Sequence, residues 1–448
     1  MQYEKEGLKM GRLTFKGGVH PFDGKILSKD AIVETLEPGK ELAFPVVQHI
    51  GAPATVIVKK GDRVLQGQKI AQASSFISAN IHSSVSGTVK EIATRTLHTG
   101  AKVQSIIVEN DYVYEEALPI NTKDVEQLSH DEIIDIIKEA GIVGMGGAGF
   151  PTNVKLSPKE PDKIDTIIVN GAECEPYLTS DYRRMIETPE KIVLGLKIIL
   201  KLFPKAMGYI AIEDNKKDAI SILREYVKNE ERMEVVELKT KYPQGGERSL
   251  IYAVTKRQLN SKKLPADVGC IVHNIDTVYA IYDAVINGKP LTKRIVTVTG
   301  DAISEAKNYE VYLGTYYDEL FNNHVGFCEE PIKIISGGPM MGFAMAQYEG
   351  VPMVKGTSSF LAFSRDEVYE SEMTACIRCG KCASVCPSRI VPAMVSKAAM
   401  KGDKKQFEKY NGMECCECGC CSYICLAKRP LTQLIKTMRK EILSDRKK

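Results

Sequence analysis

Between residues 125 and 285 the chain alternates two hydrophobic periods. In "SHDEIIDIIKEAG" the isoleucines recur at helical spacing behind Ser129, a candidate N-cap. Glu132 completes a capping box there, and Gly141 closes the segment. "KIDTIIVN", "MGYIAIED" and "MEVVELKT" are short, nearly continuous apolar runs of the buried-strand kind, and helical patterns such as "KKDAISILREYVKN" separate them. Strands alternating with helices predict βαβ units and a largely parallel sheet. "IVLGLKIILKLF", from Ile192, carries Lys197 and Lys201 one helical turn apart, which predicts an amphipathic helix facing a core.

Outside this block the pattern belongs to strands and then to cysteines. Up to about residue 115, "ATVIVKKGDRVLQGQKIAQA" alternates around Gly61-Asp62 and Gly67-Gln68, which read as hairpin signals, and "HSSVSGTVKEI" repeats the idea. The pattern resembles the barrel-sandwich of biotinyl and lipoyl carrier domains. Ile81-His82-Ser83-Ser84 stands where a carrier would place its modified lysine, so a structural module is expected. Short strands return between residues 290 and 350 ("KRIVTVTG", "PIKIISGG"), and from about 365 the chain is helical and cysteine-rich. The expected architecture is therefore α/β multidomain, with units at 1–115, 125–285, 290–350 and 365–435.

Composition narrows the function classes. A length of 448 residues with 44% hydrophobic and 26% charged residues is that of an ordinary globular chain of several domains. A formal net charge of +3 argues against a dedicated nucleic-acid binder. No apolar run reaches the roughly 18 residues of a membrane helix. The charged start "MQYEKEGLKM" has no hydrophobic region after it. A cytoplasmic protein is expected, touching a membrane only through partners.

Of 13 cysteines, all but Cys174, Cys270 and Cys328 fall between Cys376 and Cys425. "CIRCGKCASVCP" sets Cys376, Cys379, Cys382 and Cys386 at C-x2-C-x2-C-x3-C before Pro387. "MECCECGCCSYIC" in the same frame selects Cys415, Cys418, Cys421 and Cys425, with Leu426 in the proline's place. Thiolates at these spacings wrap an iron–sulfur cube, and in two-cluster ferredoxins the fourth cysteine of each run serves the other cluster. One cluster would then take Cys376, Cys379, Cys382 and Cys425, the other Cys415, Cys418, Cys421 and Cys386. Zinc also favours paired C-x2-C but needs two pairs rather than two full quartets.

"GIVGMGGAGFPTNVK" supplies a second candidate site. Gly144, Gly146, Gly147 and Gly149 would let backbone amides approach a phosphate, with Lys155 as a nearby charge. A helix precedes this loop, so it is not a plain Rossmann fingerprint. Three polar groups follow strand-like runs in the same block: Asn170, Glu173 and Glu175 in "NGAECEP"; Gly245, Gly246 and Glu247 in "YPQGGERSLI"; His273, Asn274 and Thr277 in "VHNIDT". Ligands of open α/β sheets bind at such strand ends. Cys174 lies among them and is expected to be a structural thiol.

These motifs resemble the flavin-carrying, NADH-binding subunit of respiratory complex I. Its G-R-G-G-A-G-F-P-T-G-L-K loop matches at Gly144, Gly146, Gly147, Ala148, Gly149, Phe150, Pro151, Thr152 and Lys155. The resemblance implies FMN contacts at Gly144, Gly146, Lys155, Asn170, Glu173, Gly245 and Asn274. It also implies Phe150 against the nicotinamide cofactor and Glu175 and Glu247 lining its site. Ala172 departs from that family's aspartate, His273 from its asparagine, and Leu156-Ser157-Pro158 lacks its aromatic.

Over nearly the whole length the chain resembles the RnfC family, a component of the Rnf electron-transport complex. "FKGGVHP", the barrel, "NGAECEPYLTSDYRRM" and the double cysteine motif carry the likeness. This implies a Rossmann-like NADH/FMN domain, a β-grasp (SLBB) module at 290–350 and a helical ferredoxin-like domain with two [4Fe-4S] clusters. It further implies a peripheral subunit on the cytoplasmic side of the membrane, working with other subunits. Electrons would pass between NAD(H) and, indirectly, ferredoxin, coupled to Na⁺ or H⁺ movement. The rival readings are the cobalamin-reductase subunit of bacterial microcompartments and an iron–sulfur adaptor without a nucleotide site. In the basic tail, Lys436, Arg439 and Lys440 share one side of a predicted helix, read as a solvated face or as a contact for anionic lipid or an acidic ferredoxin.

Cys416 and Cys420 are spare in this frame. Serine at either position is expected to leave iron and acid-labile sulfide per chain unchanged, whereas loss of half the iron would reject the frame.

Overall fold

The computed structural model describes residues 13–366 and 368–446. Four strands, Thr166–Gly171, Met207–Glu213, Met233–Leu238 and Cys270–Asn274, form the parallel sheet that the alternating pattern predicts. Thr166–Gly171 is flanked by Met207–Glu213, with Met233–Leu238 beyond it, on one side and by Cys270–Asn274 on the other. The order reverses between Thr166–Gly171 and Cys270–Asn274, and a crevice opens beyond their carboxyl ends, the usual ligand position in such sheets. Both faces are covered, which is why the strands read as continuous apolar runs. Helices His130–Glu139, Pro189–Leu202, Lys217–Val227 and Ile275–Asn287 cover one face, and Glu247–Thr255 covers the other.

The helix His130–Glu139 carries the full Ser129–Glu132 capping box, and Gly141 leaves it at a φ of +65°. On Pro189–Leu202, Lys197 pairs with Glu230 at 2.6 Å and Lys201 donates to the Val125 carbonyl at 2.6 Å. The apolar side of this helix is free to enter the core.

The N-terminal unit is a sandwich of two small sheets around Leu42, Phe44, Val64, Ile70, Ile81, Val89 and Ile106. Gly61-Asp62 and Gly67-Gln68 are turns with positive φ at both glycines, but neither closes a hairpin. Each hands the chain from one sheet to the other: Thr55–Val56 and Lys69–Gln72 pair in one, Arg63–Val64 with Gly87–Thr96 in the second. Local alternation cannot distinguish these outcomes, because it records which residues point inward and not which strand lies alongside. Ile81, His82, Ser83 and Ser84 are all buried, so no carrier-type tip projects there.

A six-stranded mixed sheet follows, in the order Glu34–Leu36, Lys307–Tyr312, Lys293–Thr299, Ser359–Phe363, Lys333–Ser336, Phe343–Ala344. Its first strand comes from the far N-terminal side of the sandwich. At the C-terminus, helices Pro392–Met400, Lys404–Lys409 and Leu431–Asp445 pack around Val395, Phe407, Ile435, Met438 and Ile442.

Three of these units meet on one side chain. Lys355 is buried, and its ammonium donates to the carbonyls of Asn80 and Gly141, each at 2.6 Å. Its own amide donates to Gln48 Oε1 at 3.1 Å, and its carbonyl accepts from Arg294. An unsatisfied buried acceptor costs roughly 1–3 kcal/mol. Lys355→Met leaves two, so a loss of roughly 2–6 kcal/mol is expected in denaturant unfolding of the apo-chain.

Candidate functional site

The crevice at the sheet's carboxyl edge leads into a cavity of about 1890 Å³. Sites for single small molecules typically measure roughly 300–1,000 Å³, so this one has room for two. Every candidate residue named above in the glycine loop, in the 170–175 and 245–247 segments and at 273–274 lines it. In-register pairing sets Asn170 opposite Asn274 across the crevice.

The glycine loop is pinched at its base, where Val143 bridges Pro151 and the Gly144 amide donates to the Phe150 carbonyl at 2.9 Å. Within it the glycines differ in what requires them. Gly149 has a φ of +69°, and at Gly146 a Cβ would sit 2.9 Å from the Asn274 side chain. At Gly147 a Cβ would meet nothing within 4 Å and φ is ordinary, so the fold itself makes no demand for glycine there. Lys155, at the end of the short helix Thr152–Lys155, donates to the Val272 carbonyl at 2.8 Å and pairs with Glu247 at 3.2 Å.

Asn170 donates to the Gly245 carbonyl at 2.9 Å, which ties the first strand end to the 245–247 turn. Asn274 caps the helix Ile275–Asn287 by accepting from the Asp276 amide at 2.9 Å, and donates to Asp181 Oδ2 at 2.6 Å. Glu173 sits at a φ of +46°, and its Oε1 accepts from the Asp181 amide at 2.7 Å. Its Oε2 is buried without a hydrogen-bond partner, 3.9 Å from Lys25 Nζ. Burial raises the Glu173 carboxyl above its ordinary range, opposed by Lys25 and Lys216. Burial pushes Asp181 up to about 7, helped by the charges of Glu173 and Asp276. Glu175 also reaches about 7 through burial, opposed by hydrogen bonds from the Met340 amide at 3.1 Å and the Tyr242 hydroxyl at 3.3 Å. His273 is buried with Nε2 unpartnered, and desolvation holds its imidazole neutral.

A flat polar ligand fits this wall. Two orphaned polar atoms, Glu173 Oε2 and His273 Nε2, and the open Gly147 all lie in it. Sequence reasoning missed Lys25, Asp181 and Tyr242. Asp181 stood in the quoted "SDYRRM" run, but its aim at Asn274 is a tertiary fact. Nothing local marks Lys25, which donates to the Glu175 carbonyl at 3.0 Å from a distant loop. Cys174 accepts from the Gly245 amide at 3.3 Å, and burial, with Glu213 and Glu175 nearby, pushes its thiol up to about 12. That is an unreactive thiol.

The cysteine segment repeats its own backbone. Arg378 and Glu417 are left-handed at φ +56° and +58°, and the following glycines, Gly380 and Gly419, at +73° and +82°. One-turn helices Lys381–Ser384 and Cys420–Tyr423 come next, then Arg389 and Lys428 at φ +55° and +48°. Helices starting at Pro392 and Leu431 complete each half. Cys376, Cys379, Cys382 and Cys386 thus correspond to Cys415, Cys418, Cys421 and Cys425. All the cysteines are free thiols. Cys386 lines one small cavity together with Cys415, Cys416, Cys418, Cys420 and Cys421. Among the described residues no three Cys, His, Asp or Glu side chains converge on a single metal ion. Desolvation raises the Cys415 and Cys421 thiols to about 12 and about 11, so only a cationic centre would hold them as thiolates.

Cys416 and Cys418 lie in the walls of both the small cavity and the large one. The basic tail turns inward: Arg439 pairs with Glu417, and Lys436 stands 4.0 Å from the same carboxylate and 4.9 Å from the Phe343 ring. Arg439 and Lys436 thus face the loop that carries Glu417, while Lys440 stays exposed. No helix among the described residues is long and apolar enough to cross a membrane.

Known proteins match both halves of this description. The Nuo51 FMN-binding domain family matches residues 137–283, and the RnfC barrel sandwich hybrid domain family matches residues 13–113. The C component of a proton-translocating ferredoxin:NAD(+) oxidoreductase complex from Clostridium ljungdahlii is 44% identical over 96% of this chain and 94% of its own. A Na(+)-translocating counterpart from Acetobacterium woodii is 41% identical over 97% and 98%. The C component of an ion-translocating oxidoreductase complex from Rhodobacter capsulatus is 38% identical over 87% and 76%. In fold, the chain is similar to a chain of an NAD+-reducing [NiFe]-hydrogenase, with a TM-score of 0.50 at 16% identity over 73% of this chain and 63% of that one. With such identity over nearly its whole length, and with an FMN-binding domain behind an RnfC-type barrel, the chain belongs to the RnfC family, the C components of ion-translocating ferredoxin:NAD(+) oxidoreductase complexes.

Proposed function

We propose that this chain exchanges electrons between NAD(H) and a two-cluster iron–sulfur relay through FMN, as a peripheral subunit on the cytoplasmic side of a membrane complex. The other subunits of that complex carry electrons to or from ferredoxin and move Na⁺ or H⁺. The observation that carries the reading is the shared wall: Cys416 and Cys418 border the same cavity as the glycine loop and the strand-end polar groups. A flavin held there converts a two-electron hydride transfer into single-electron steps, the only kind an iron–sulfur cluster accepts.

The chain's residues bind and orient. Gly144, Gly146 and Gly147 offer a close backbone approach, with Lys155 supplying charge and Asn170, Glu173, Gly245, His273 and Asn274 placing polar atoms around the flavin. Phe150, Glu175, Gly246 and Glu247 serve the nicotinamide cofactor. Glu175 holds a proton on its carboxyl near neutral pH. In the relay, Cys415, Cys418, Cys421 and Cys386 would form the cluster beside the flavin. Cys376, Cys379, Cys382 and Cys425 would form the outer one, where Cys376 and Cys379 are exposed. The fold of this segment is read as ferredoxin-like, and the mixed sheet around 290–350 as the β-grasp (SLBB) module, between the α/β unit at 125–285 and the relay at 365–435. Within the 1–115 unit the barrel is built from the strands between Glu41–Pro45 and Lys102–Asn110. The relatives' names favour this reading over cobalamin reduction or an adaptor role.

Iron, sulfide and flavin per chain, followed by NADH titration of the visible spectrum, test it. Two [4Fe-4S] clusters and NADH-bleached flavin absorbance are expected; iron and sulfide without flavin would leave only the adaptor. Gly147→Leu sharpens the test, because the fold leaves room for the side chain. The melting temperature should stay within about 2 °C of the parent, a surface-substitution effect, while flavin retention and NADH-driven bleaching are lost.

Glu175 also gives a pH dependence. With its folded pKa near 7, above the unfolded carboxylate range, the native state binds the extra proton in between. Its contribution to stability is complete below that range and is lost as pH rises through about 7. Thermal unfolding of the apo-chain from pH 5 to 8 should show this decline, and Glu175→Gln should make it shallower.

A further inference from the structure

The motif "FKGGVHP" has so far served only as a mark of family likeness, yet it occupies the seam between the two cavities. From Leu13 the chain runs beside the end of Met233–Leu238, exchanging backbone hydrogen bonds of 3.1 and 2.9 Å with Glu237 and Lys239. Phe15 and Lys16 then line the large cavity. Next, Val19 and Tyr242 exchange two backbone hydrogen bonds, at 2.8 and 2.9 Å. In between, the Gly18 amide donates to the Val385 carbonyl at 2.7 Å, next to Cys386.

Both glycines are needed for this close approach. Gly17, at φ +91°, would place a Cβ 2.9 Å from the Val385 oxygen and 3.1 Å from that of Cys386. Gly18, at φ +82°, would place one 2.6 Å from the Tyr242 oxygen. Tyr242 is buried, with its hydroxyl on Glu175 and its carbonyl 3.8 Å from Cys420 Sγ. Val19, Tyr242, Cys418 and Cys420 form one small core. Lys241 locks the strap from outside, donating to the Phe15 carbonyl at 2.6 Å with its ammonium 4.0 Å from the Phe15 ring.

We infer that Phe15–Val19, clasped by Lys241 and Tyr242, is a positioning strap that sets the separation between the flavin cavity and the inner cluster loop. The inference rests on the relay reading above. Its residues touch Tyr242 on the flavin side and the backbone of Val385 and Cys386 on the cluster side, so any added bulk is transmitted to the gap between cofactors.

Gly17→Ala and the milder Lys241→Ala test this on the full chain. In the apo-chain, hydrogen exchange should find the Gly18, Val19 and Tyr242 amides protected, and faster exchange there in both variants. Fast exchange at all three in the parent would overturn the strap. In the reconstituted protein, iron, sulfide and flavin per chain and the rate of flavin reduction by NADH should match the parent. Cluster reduction should be several-fold slower in both variants. Cluster reduction at the parental rate in both variants would overturn the proposal, as would loss of iron from both, which would make the strap a mere support. Should the parent itself show no flavin reduction, the relay reading fails, and the exchange data still decide whether the strap exists.

Discussion

The register between Thr166–Gly171 and Cys270–Asn274 is the constraint from which the site follows. Because Asn170 pairs opposite Asn274, two amide side chains end at the same height where the sheet's order reverses. Each then does local work. Asn170 fastens the 245–247 turn, and Asn274 starts the helix Ile275–Asn287 and reaches Asp181. Lys155 is anchored on Val272, two residues before Asn274, so the glycine loop is referred to the same strand. A slip of one residue would send these side chains to the opposite face. Both faces of these strands are apolar, so it is the specific contacts of Asn170 with Gly245, Asn274 with Asp181 and Lys155 with Val272 that a slip would break.

The floor of the cavity is held by charge rather than by apolar packing. The chain from Ala172 to Leu178 leaves the sheet without continuing into regular structure, and its carbonyls need donors. Lys25 donates to the carbonyls of Glu175 and Leu178, and Lys216 donates to that of Ala172 at 2.7 Å. Buried ammonium groups demand counter-ions, which Glu173 and Glu213 provide at 3.9 and 3.6 Å. Arg184 and Asp276 repeat the arrangement at 2.8 Å beneath Asn274. Buried pairs of this kind add little net stability, but removing one partner is expensive. They hold an irregular loop, including the left-handed Glu173, in one shape.

What could be read from the chain tracks what is local. The capping box at Ser129, the parallel strands and the glycine loop are short-range patterns, and the fold places each where its period implies. The candidate polar groups were legible because each follows directly on an apolar strand. The missed features are contacts between distant segments. Lys25 meets Glu173, Gly17 meets Val385, Lys355 meets Asn80 and Gly141, and Glu34–Leu36 joins a sheet whose other strands begin at Lys293. The turns at Gly61 and Gly67 were recognised as turns and misassigned as hairpins for the same reason.

The doubled cysteine motif is accompanied by a doubled backbone course. Six cysteines in "MECCECGCCSYIC" offer several quartets, and spacing alone favours one only by analogy with the earlier run. The left-handed pair before and after the second cysteine of each half, Arg378 with Gly380 and Glu417 with Gly419, aligns the two runs in the same frame. Cys416 and Cys420 occupy the places of Ile377 and Lys381, which belong to no quartet. Ile377 and Lys381 are exposed, whereas Cys420 is buried against Tyr242 and Cys416 lies in the cavity wall. Small, weakly polar cysteines at these two positions fit a loop pressed against the flavin unit, where an isoleucine or lysine would have to be accommodated between Tyr242 and the strap.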